Sequence, residues 1–142
     1  MDRYNIYLSG GMSNLSLEEQ TVWRKTIRDA IKFGDYDYEK TPIFFDPTQR
    51  YSVFEEEHKS ELEAMNYDLY KLRNSDLMVV NFNSPESIGT AMEIMLAREM
   101  RIPIIGLNKD DKFIHPWLSC SVDRMCDSMK ELVEHIVKFY LN

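Results

Sequence analysis

Cysteine is scarce in this chain. Cys120 and Cys126 are the whole supply, too few for a disulfide framework or a thiolate zinc cage, so free thiols in a reducing compartment are expected. The three histidines are scattered, with no pair at metal-ligand spacing, and neither a metal nor another cofactor is expected. Basic residues are in the minority, 17 against 24 acidic, for a net charge of −7. A surface that coats nucleic acid needs a basic stripe, and this balance argues against one. No apolar run approaches the roughly 20 residues of a membrane span. The opening Met1-Asp-Arg-Tyr4 lacks the basic start and apolar stretch of a secretory leader. These absences lead to an expectation of a cytoplasmic protein that partners neither a nucleic-acid polymer nor a membrane, and they leave room for a small phosphorylated ligand held by backbone N–H groups. With no repeat, low-complexity segment or dividing linker, residues 1–142, 44% apolar and 29% charged, are expected to form a single domain with a proper core.

What is present alternates between strand and helix signals. Tyr4–Ser9 has the aromatic and branched residues of a first strand and runs directly into Gly10-Gly-Met-Ser-Asn14. Two glycines after a strand serve either an ordinary strand-to-helix turn or a close approach of backbone to a ligand. The dinucleotide fingerprint is excluded because its third glycine is missing, and a P-loop because no Gly-Lys-Ser/Thr follows. Ser16-Leu-Glu-Glu19 is a capping box that starts a helix running to about Phe33, with Val22, Trp23, Ile27, Ala30 and Ile31 as its apolar stripe and Gly34 as its end. A short strand, Ile43–Phe45, closes at Asp46-Pro-Thr48, and an irregular charged stretch follows from Gln49 to Glu57. A helix is expected from Glu57 to Arg73, with Leu62, Met65, Leu69 and Leu72 as its core stripe and Asp68 at the rim of that stripe. Asp68 is either a surface carboxylate or a partly desolvated one suited to proton transfer. Leu77–Val80 and Ile102–Gly106 read as buried strands, a short fifth strand is placed near Ser119–Arg124, and a last helix is expected to begin at Met125 or Asp127. Between them, Phe113–Leu118 is an aromatic segment broken by proline, serving as a pocket wall, a subunit contact or core packing.

The organising stretch is Ser84-Pro-Glu-Ser-Ile-Gly-Thr-Ala-Met-Glu-Ile-Met-Leu-Ala97, a turn that becomes a helix immediately after a buried strand. First-turn N–H groups have no partner inside their helix and suit an anionic or hydroxyl-rich ligand. Glu93 shares a face with Gly89, Thr90 and Ala97 at helical spacing, whereas Ile88, Ala91, Met92, Met95 and Leu96 are expected to face the core. On spacing alone Glu93 is either a solvated helix glutamate or a carboxylate projecting into a ligand cavity. The alternation as a whole predicts an α/β, flavodoxin-like or Rossmann-like three-layer sandwich with a four- or five-stranded parallel sheet. If the first and third strands are neighbours, their loops line one crevice.

With these residues placed, the chain resembles the nucleoside 2-deoxyribosyltransferase family, which includes close relatives that hydrolyse the N-glycosidic bond of nucleoside 5′-monophosphates. The resemblance spans roughly residues 4 to 107. It is carried by Ile6-Tyr-Leu-Ser-Gly-Gly-Met12, by Asn66-Tyr-Asp-Leu-Tyr-Lys-Leu-Arg-Asn-Ser-Asp-Leu-Met-Val-Val80, by Ser87-Ile-Gly-Thr-Ala-Met-Glu-Ile-Met-Leu-Ala97 and by Ile102-Pro-Ile-Ile105. It implies Glu93 as a nucleophile forming a covalent ester with the sugar, Asp68 as manager of the proton on the leaving base, and Tyr7 as a neighbour of the nucleophile. It also implies substrate contacts from Gly10, Gly11, Ser87 and Gly89, with Ser13 assisting. Ser87 departs from the aspartate of many transferases and matches the nucleotide hydrolases. The first loop, in turn, lacks the arginine those hydrolases often carry there, for which Arg24 is a substitute at most. Three activities follow from the resemblance: base exchange on a 2′-deoxynucleoside, hydrolysis of a nucleoside 5′-monophosphate by the same Glu93, or a non-catalytic nucleotide-binding module. The resemblance further implies a homo-oligomer, at least a dimer, in which a neighbouring subunit completes the site.

Overall fold

The structure is a computed structural model that describes residues 2–12, 15–49 and 60–142. Ser13 and most of the irregular stretch after Gln49 lie outside the described residues, as does the expected start of the second helix at Glu57. Five strands, β1 (Arg3–Gly10), β2 (Thr41–Phe45), β3 (Leu77–Asn81), β4 (Ile104–Leu107) and β5 (Arg124–Cys126), form one sheet in the order β2-β1-β3-β4-β5. Every pairing is parallel. This is the flavodoxin-like order, with β1 and β3 side by side at the point where the winding direction reverses.

The helices are α1 (Leu17–Phe33), α2 (Glu61–Arg73), α3 (Ile88–Glu99), a single turn α4 (Pro116–Ser119) and α5 (Met129–Tyr140). Each longer helix starts on a serine: Ser16, Ser60, Ser87 and Ser128 accept a bond from an N–H three residues on. At Ser16 the box is complete, because the Glu19 carboxylate also accepts from the Ser16 N–H at 3.0 Å. Gly34 ends α1 with φ −76°, so left-handed backbone is not what requires glycine there. A Cβ at that position would lie 2.2 Å from the Ala30 carbonyl oxygen.

Side chains alternate across the sheet, as the two-residue period of a strand dictates. Ile6 and Leu8 of β1, with Leu77 and Val79 of β3, pack against α1 and α5 in one apolar layer. Tyr7, Met78 and Val80 point the other way, into a layer with Leu72 of α2 and Ile94 and Ala97 of α3. The stripe of α5 faces the core as its spacing predicts, but two other stripes do not. On α3 the inner face carries Thr90, Ile94 and Ala97, while Ile88, Met92 and Met95 are exposed. On α2 Leu72 and Ala64 are buried, while Leu62 and Met65 are exposed. Val22 of α1 is also exposed. Periodicity identifies the faces of a helix but does not say which one meets the sheet. Here the narrower, smaller face of α3 lies against β1 and leaves room for a cavity. The fifth strand and last helix also sit later than expected, because Asp123–Arg124 leads into β5 and Ser128 caps α5. Strand β4 begins at Ile104 rather than Ile102, after Pro103; proline has no N–H for a ladder.

Candidate active site

Strand β1 delivers Tyr7 and Ser9 to the same face, two residues apart, and α3 lies over that face. The contact brings Glu93 down onto both hydroxyls. The Tyr7 phenol donates to Glu93 Oε2, and Ser9 Oγ donates to Oε1 at 2.8 Å. Each carboxylate oxygen is thereby held by its own donor, which fixes the rotation of the group. Glu93 as a residue is half-buried and borders a cavity; it is not the solvated helix glutamate that spacing alone allowed. Burial pushes its carboxyl up from 4.5 to about 7, the nearby Asp68 charge adds to the rise, and the bonds from Tyr7 and Ser9 and the charge of Arg24 oppose it. Tyr7 is completely buried and stacked on Phe45 at 5.3 Å between ring centroids. Its burial and the Glu93 carboxylate both raise its pKa, so it stays a donor throughout the neutral range.

The cavity holds about 450 Å³, a size that fits a small organic ligand. Asp68, half-buried on α2, lines it across from Glu93. Gly10 at the end of β1 and Ser84, Ser87 and Gly89 at the start of α3 close its end. Ser87 Oγ accepts from the Thr90 N–H at 3.3 Å. The first-turn N–H groups of Ile88 and Gly89 have no partner among the described residues, and a Cβ built on Gly89 meets nothing within 4 Å. That end of the helix is open to the cavity.

Two glycines expected together are placed apart. Gly10 borders the cavity, but Gly11 does not; its N–H donates to Asn83 Oδ1 at 3.2 Å. A Cβ on Gly11 would lie 2.4 Å from the Ser84 Cβ. Gly11 therefore sets how closely the first loop and the β3–α3 loop approach each other. Arg24 also reaches the cavity from beneath, but its guanidinium is occupied. It donates to the carbonyls of Leu8 at 3.2 Å, Gln20 at 2.5 Å and Gly10 at 3.5 Å, and lies 3.7 Å from the Asp46 carboxylate. Asp46 in turn accepts from Arg28 and from the N–H and hydroxyl of Thr48. This buried group anchors the end of β1 to the end of β2. Arg24 thus has a structural task that its sequence position did not reveal.

Ser9 was missed as a site residue, although the two-residue period of β1 would have found it once Tyr7 was placed. Phe113 and Trp117 are exposed and do not border the cavity, whereas Ile114 and Leu118 of the same segment pack on the core. Among the described residues no three His, Cys, Asp or Glu side chains converge to hold a metal ion. No described helix is long and apolar enough to cross a membrane. A second cavity of about 620 Å³ lies on the other side of the sheet's carboxyl end, beside Trp23, Asn81 and Ser128, well apart from Glu93.

No protein-family model matches the sequence, and no curated protein matches it. Solved structures do match in shape. A conserved protein from Enterococcus faecalis V583 superposes with a TM-score of 0.75 at 18% identity, covering 94% of this chain and 97% of its own. The 2-deoxyribosyltransferase of Bacillus psychrosaccharolyticus gives 0.67 at 16% identity, covering 91% and 90%. The CMP N-glycosidase of Clostridium botulinum gives 0.57 at 15% identity, covering 93% and 97%. Over nearly its full length, this chain has the fold of a 2-deoxyribosyltransferase and of a CMP N-glycosidase.

Proposed function

We propose that this protein cleaves the N-glycosidic bond of a 2′-deoxynucleoside and transfers the deoxyribosyl group to another base. The observation that carries this reading is the Glu93 carboxylate, held at both oxygens on the wall of a cavity that Asp68 also lines. In the first step one carboxylate oxygen attacks the anomeric carbon, an ester bond forms, and the C–N bond breaks with its electron pair leaving on the base. Asp68, in its acid form, gives the departing base its proton. In the second step the incoming base attacks the same carbon, the ester breaks, Asp68 takes back a proton and Glu93 returns as a carboxylate. Two inversions give retention, the logic of a retaining glycosidase. Tyr7 and Ser9 orient the nucleophile and do not exchange protons with it. The same activity in a protein of this fold, the 2-deoxyribosyltransferase of Bacillus psychrosaccharolyticus, supports the assignment.

Nucleotide hydrolysis by the same Glu93 is the second reading. It is favoured by Ser87 and by the two unpartnered N–H groups at the start of α3, which suit a phosphate. Charge favours the first reading. Glu61, Asp68, Glu86 and Glu93 all border the cavity, and its one described cation, Arg24, is already engaged. A phosphate dianion is repelled by the acidic side chains of this rim as they ionise, whereas a neutral nucleoside is not. Incubation with a 2′-deoxynucleoside, with and without an acceptor base, tests the assignment: release only with acceptor is the transferase result. Release of base from a 5′-monophosphate in water is the hydrolase result, and release from neither leaves a non-catalytic binding module.

The working form, on the same reading, is a homo-oligomer. Ile88, Met92 and Met95 on α3 and Leu62 and Met65 on α2 form an exposed apolar surface, and Met65, Ile88 and Met92 of that surface also border the cavity. A second copy covering it would complete the cavity rim while burying what a lone chain leaves wet.

A further inference from the structure

Thr90 is 4% exposed, and its hydroxyl has no hydrogen-bond partner among the described residues. That is an anomaly within this chain. Thr21 and Thr26, also on a helix, each donate to the carbonyl four residues back at 2.8 Å. The same solution fails at Thr90 because the residue four back is Glu86, which precedes the cap Ser87 and so lies outside the helical ladder. Leaving a buried hydroxyl unpaired is costly, and Thr90 borders the ligand cavity. It stands one turn before Glu93 on the inner face of α3, roughly 4.5 Å along the helix axis at the usual rise. On its other side lie Ser87 and Gly89, at the open start of the helix.

Resting on the glycosyl-transfer reading above, we infer that the Thr90 hydroxyl binds a hydroxyl of the substrate's sugar, 3′ or 5′, while Glu93 addresses the anomeric carbon. A threonine hydroxyl both donates and accepts, as a sugar hydroxyl does, so the pair satisfies both groups. The spacing along α3 matches the span from the anomeric carbon to the far hydroxyls of one furanose ring. Thr90 is thus a specificity-determining residue: it stays unpaired until a hydroxylated sugar fills the cavity, and a sugar lacking that group leaves it unpaired in the complex as well.

The test compares Thr90→Val, which keeps the shape and removes the hydroxyl, with Thr90→Ser, which keeps the hydroxyl. Base exchange is measured on a 2′-deoxynucleoside and on its 3′-deoxy and 5′-deoxy analogues. Thr90→Val should melt at or above the wild-type temperature and lose about tenfold in kcat/KM on the full substrate. Thr90→Ser should stay within about twofold. On one of the two analogues the loss from Thr90→Val should vanish, identifying the hydroxyl; this is the non-additivity of a direct contact. Equal activity of Thr90→Val and wild type, or a loss undiminished on both analogues, overturns the inference. Should Thr90→Val fail to fold, Thr90→Ala carries the same comparison. If the wild type exchanges no base, the catalytic reading falls separately, and calorimetric binding of the 2′-deoxynucleoside decides on Thr90: weaker binding to Thr90→Val upholds it, while equal binding or none overturns it.

Discussion

At the scale of single residues the site turns on the protonation of Glu93. On the proposed mechanism the Glu93 carboxylate must be ionised to attack, and burial pushes it up to about 7. The rate of base release is therefore expected to rise with pH through about 7 as Glu93 ionises, and to fall again where the base can no longer take its proton from Asp68, a bell visible in kcat/KM measured from pH 5 to 9. Glu93→Ala should lose more than about 10⁴-fold in turnover with the fold intact by circular dichroism; undiminished activity would remove the mechanism. The same raised pKa fixes the sign of a stability effect. Below the unfolded value near 4.5 the carboxyl is protonated in both states and its burial is harmless. As pH rises toward about 7, the unfolded chain releases the proton first, and stability is lost. At about 1.4 kcal/mol for each tenfold change in proton affinity, the loss reaches about 3 kcal/mol on the alkaline side. Glu93→Gln should accordingly melt higher than wild type at pH 8 and alike at pH 4, while being inactive at both. Asp68→Asn belongs to the other half of the reaction. It should cost about 10²- to 10⁴-fold, with the greater loss on bases that leave poorly; an equal loss on all bases would separate Asp68 from the leaving-group proton.

At the scale of elements, β1 and α3 make the site between them, and their legibility differed. The period of β1 is two, its partner β3 is a continuous apolar run, and the glycines mark where β1 ends. Strand, direction and neighbour were all readable, and Tyr7 with Ser9 follows from them. The helix α3 lies where its pattern places it, and of its expected core stripe Leu96 packs on the core while Ile88, Met92 and Met95 are exposed. Ile88, Met92 and Met95 looked like a core stripe because nothing in one chain's periodicity distinguishes a helix face buried on a sheet from one left for a partner. The small face with Glu93 is expected to face a cavity, and Gly89, Thr90 and Glu93 do border one, while Ala97, one turn further on, is buried in the core. Arg24 was unreadable for another reason. Its partners Leu8 and Gly10 lie on β1 and Asp46 just past the end of β2, and a polar contact between segments so far apart in the chain has no local signature. The open start of α3 gives a test that separates fold from function. Gly89→Ala places a methyl where a Cβ meets nothing, and alanine outranks glycine in a helix by up to about 1 kcal/mol. The variant should melt slightly higher than wild type and yet bind nucleoside at least about tenfold more weakly, because the methyl blocks approach to the first turn. A variant that is both more stable and fully active would show that no ligand comes close at Gly89.

At the scale of the whole molecule the question is what covers α2 and α3. Ile88 is 77% exposed and Met95 52%, on a helix whose inner face is already committed to the sheet. Leu62 at 63% and Tyr70 at 57% add to the same side of the layer from α2. Scattered apolar residues on a surface are ordinary, but several at helical spacing on two adjacent packed helices are not. On the other side of the sheet α5 sends Leu132, Val133, Ile136 and Val137 inward. On the proposed reading the occupant is a second copy, because a two-fold contact pairs a patch with itself and the exposed Ile88, Met92 and Met95 give that patch an apolar centre. The solution mass should then be at least twice the 16.9 kDa of one chain. Met92→Lys with Met95→Lys places two like charges on each side of that contact and should give a monomer by light scattering. Since Met92 also borders the cavity, activity should fall with the loss of the dimer, and Met95→Lys alone, which does not border it, separates the two causes. If Met95→Lys is monomeric and inactive, the neighbouring copy supplies part of the site; if it is monomeric and fully active, each chain works alone and the apolar face serves assembly only.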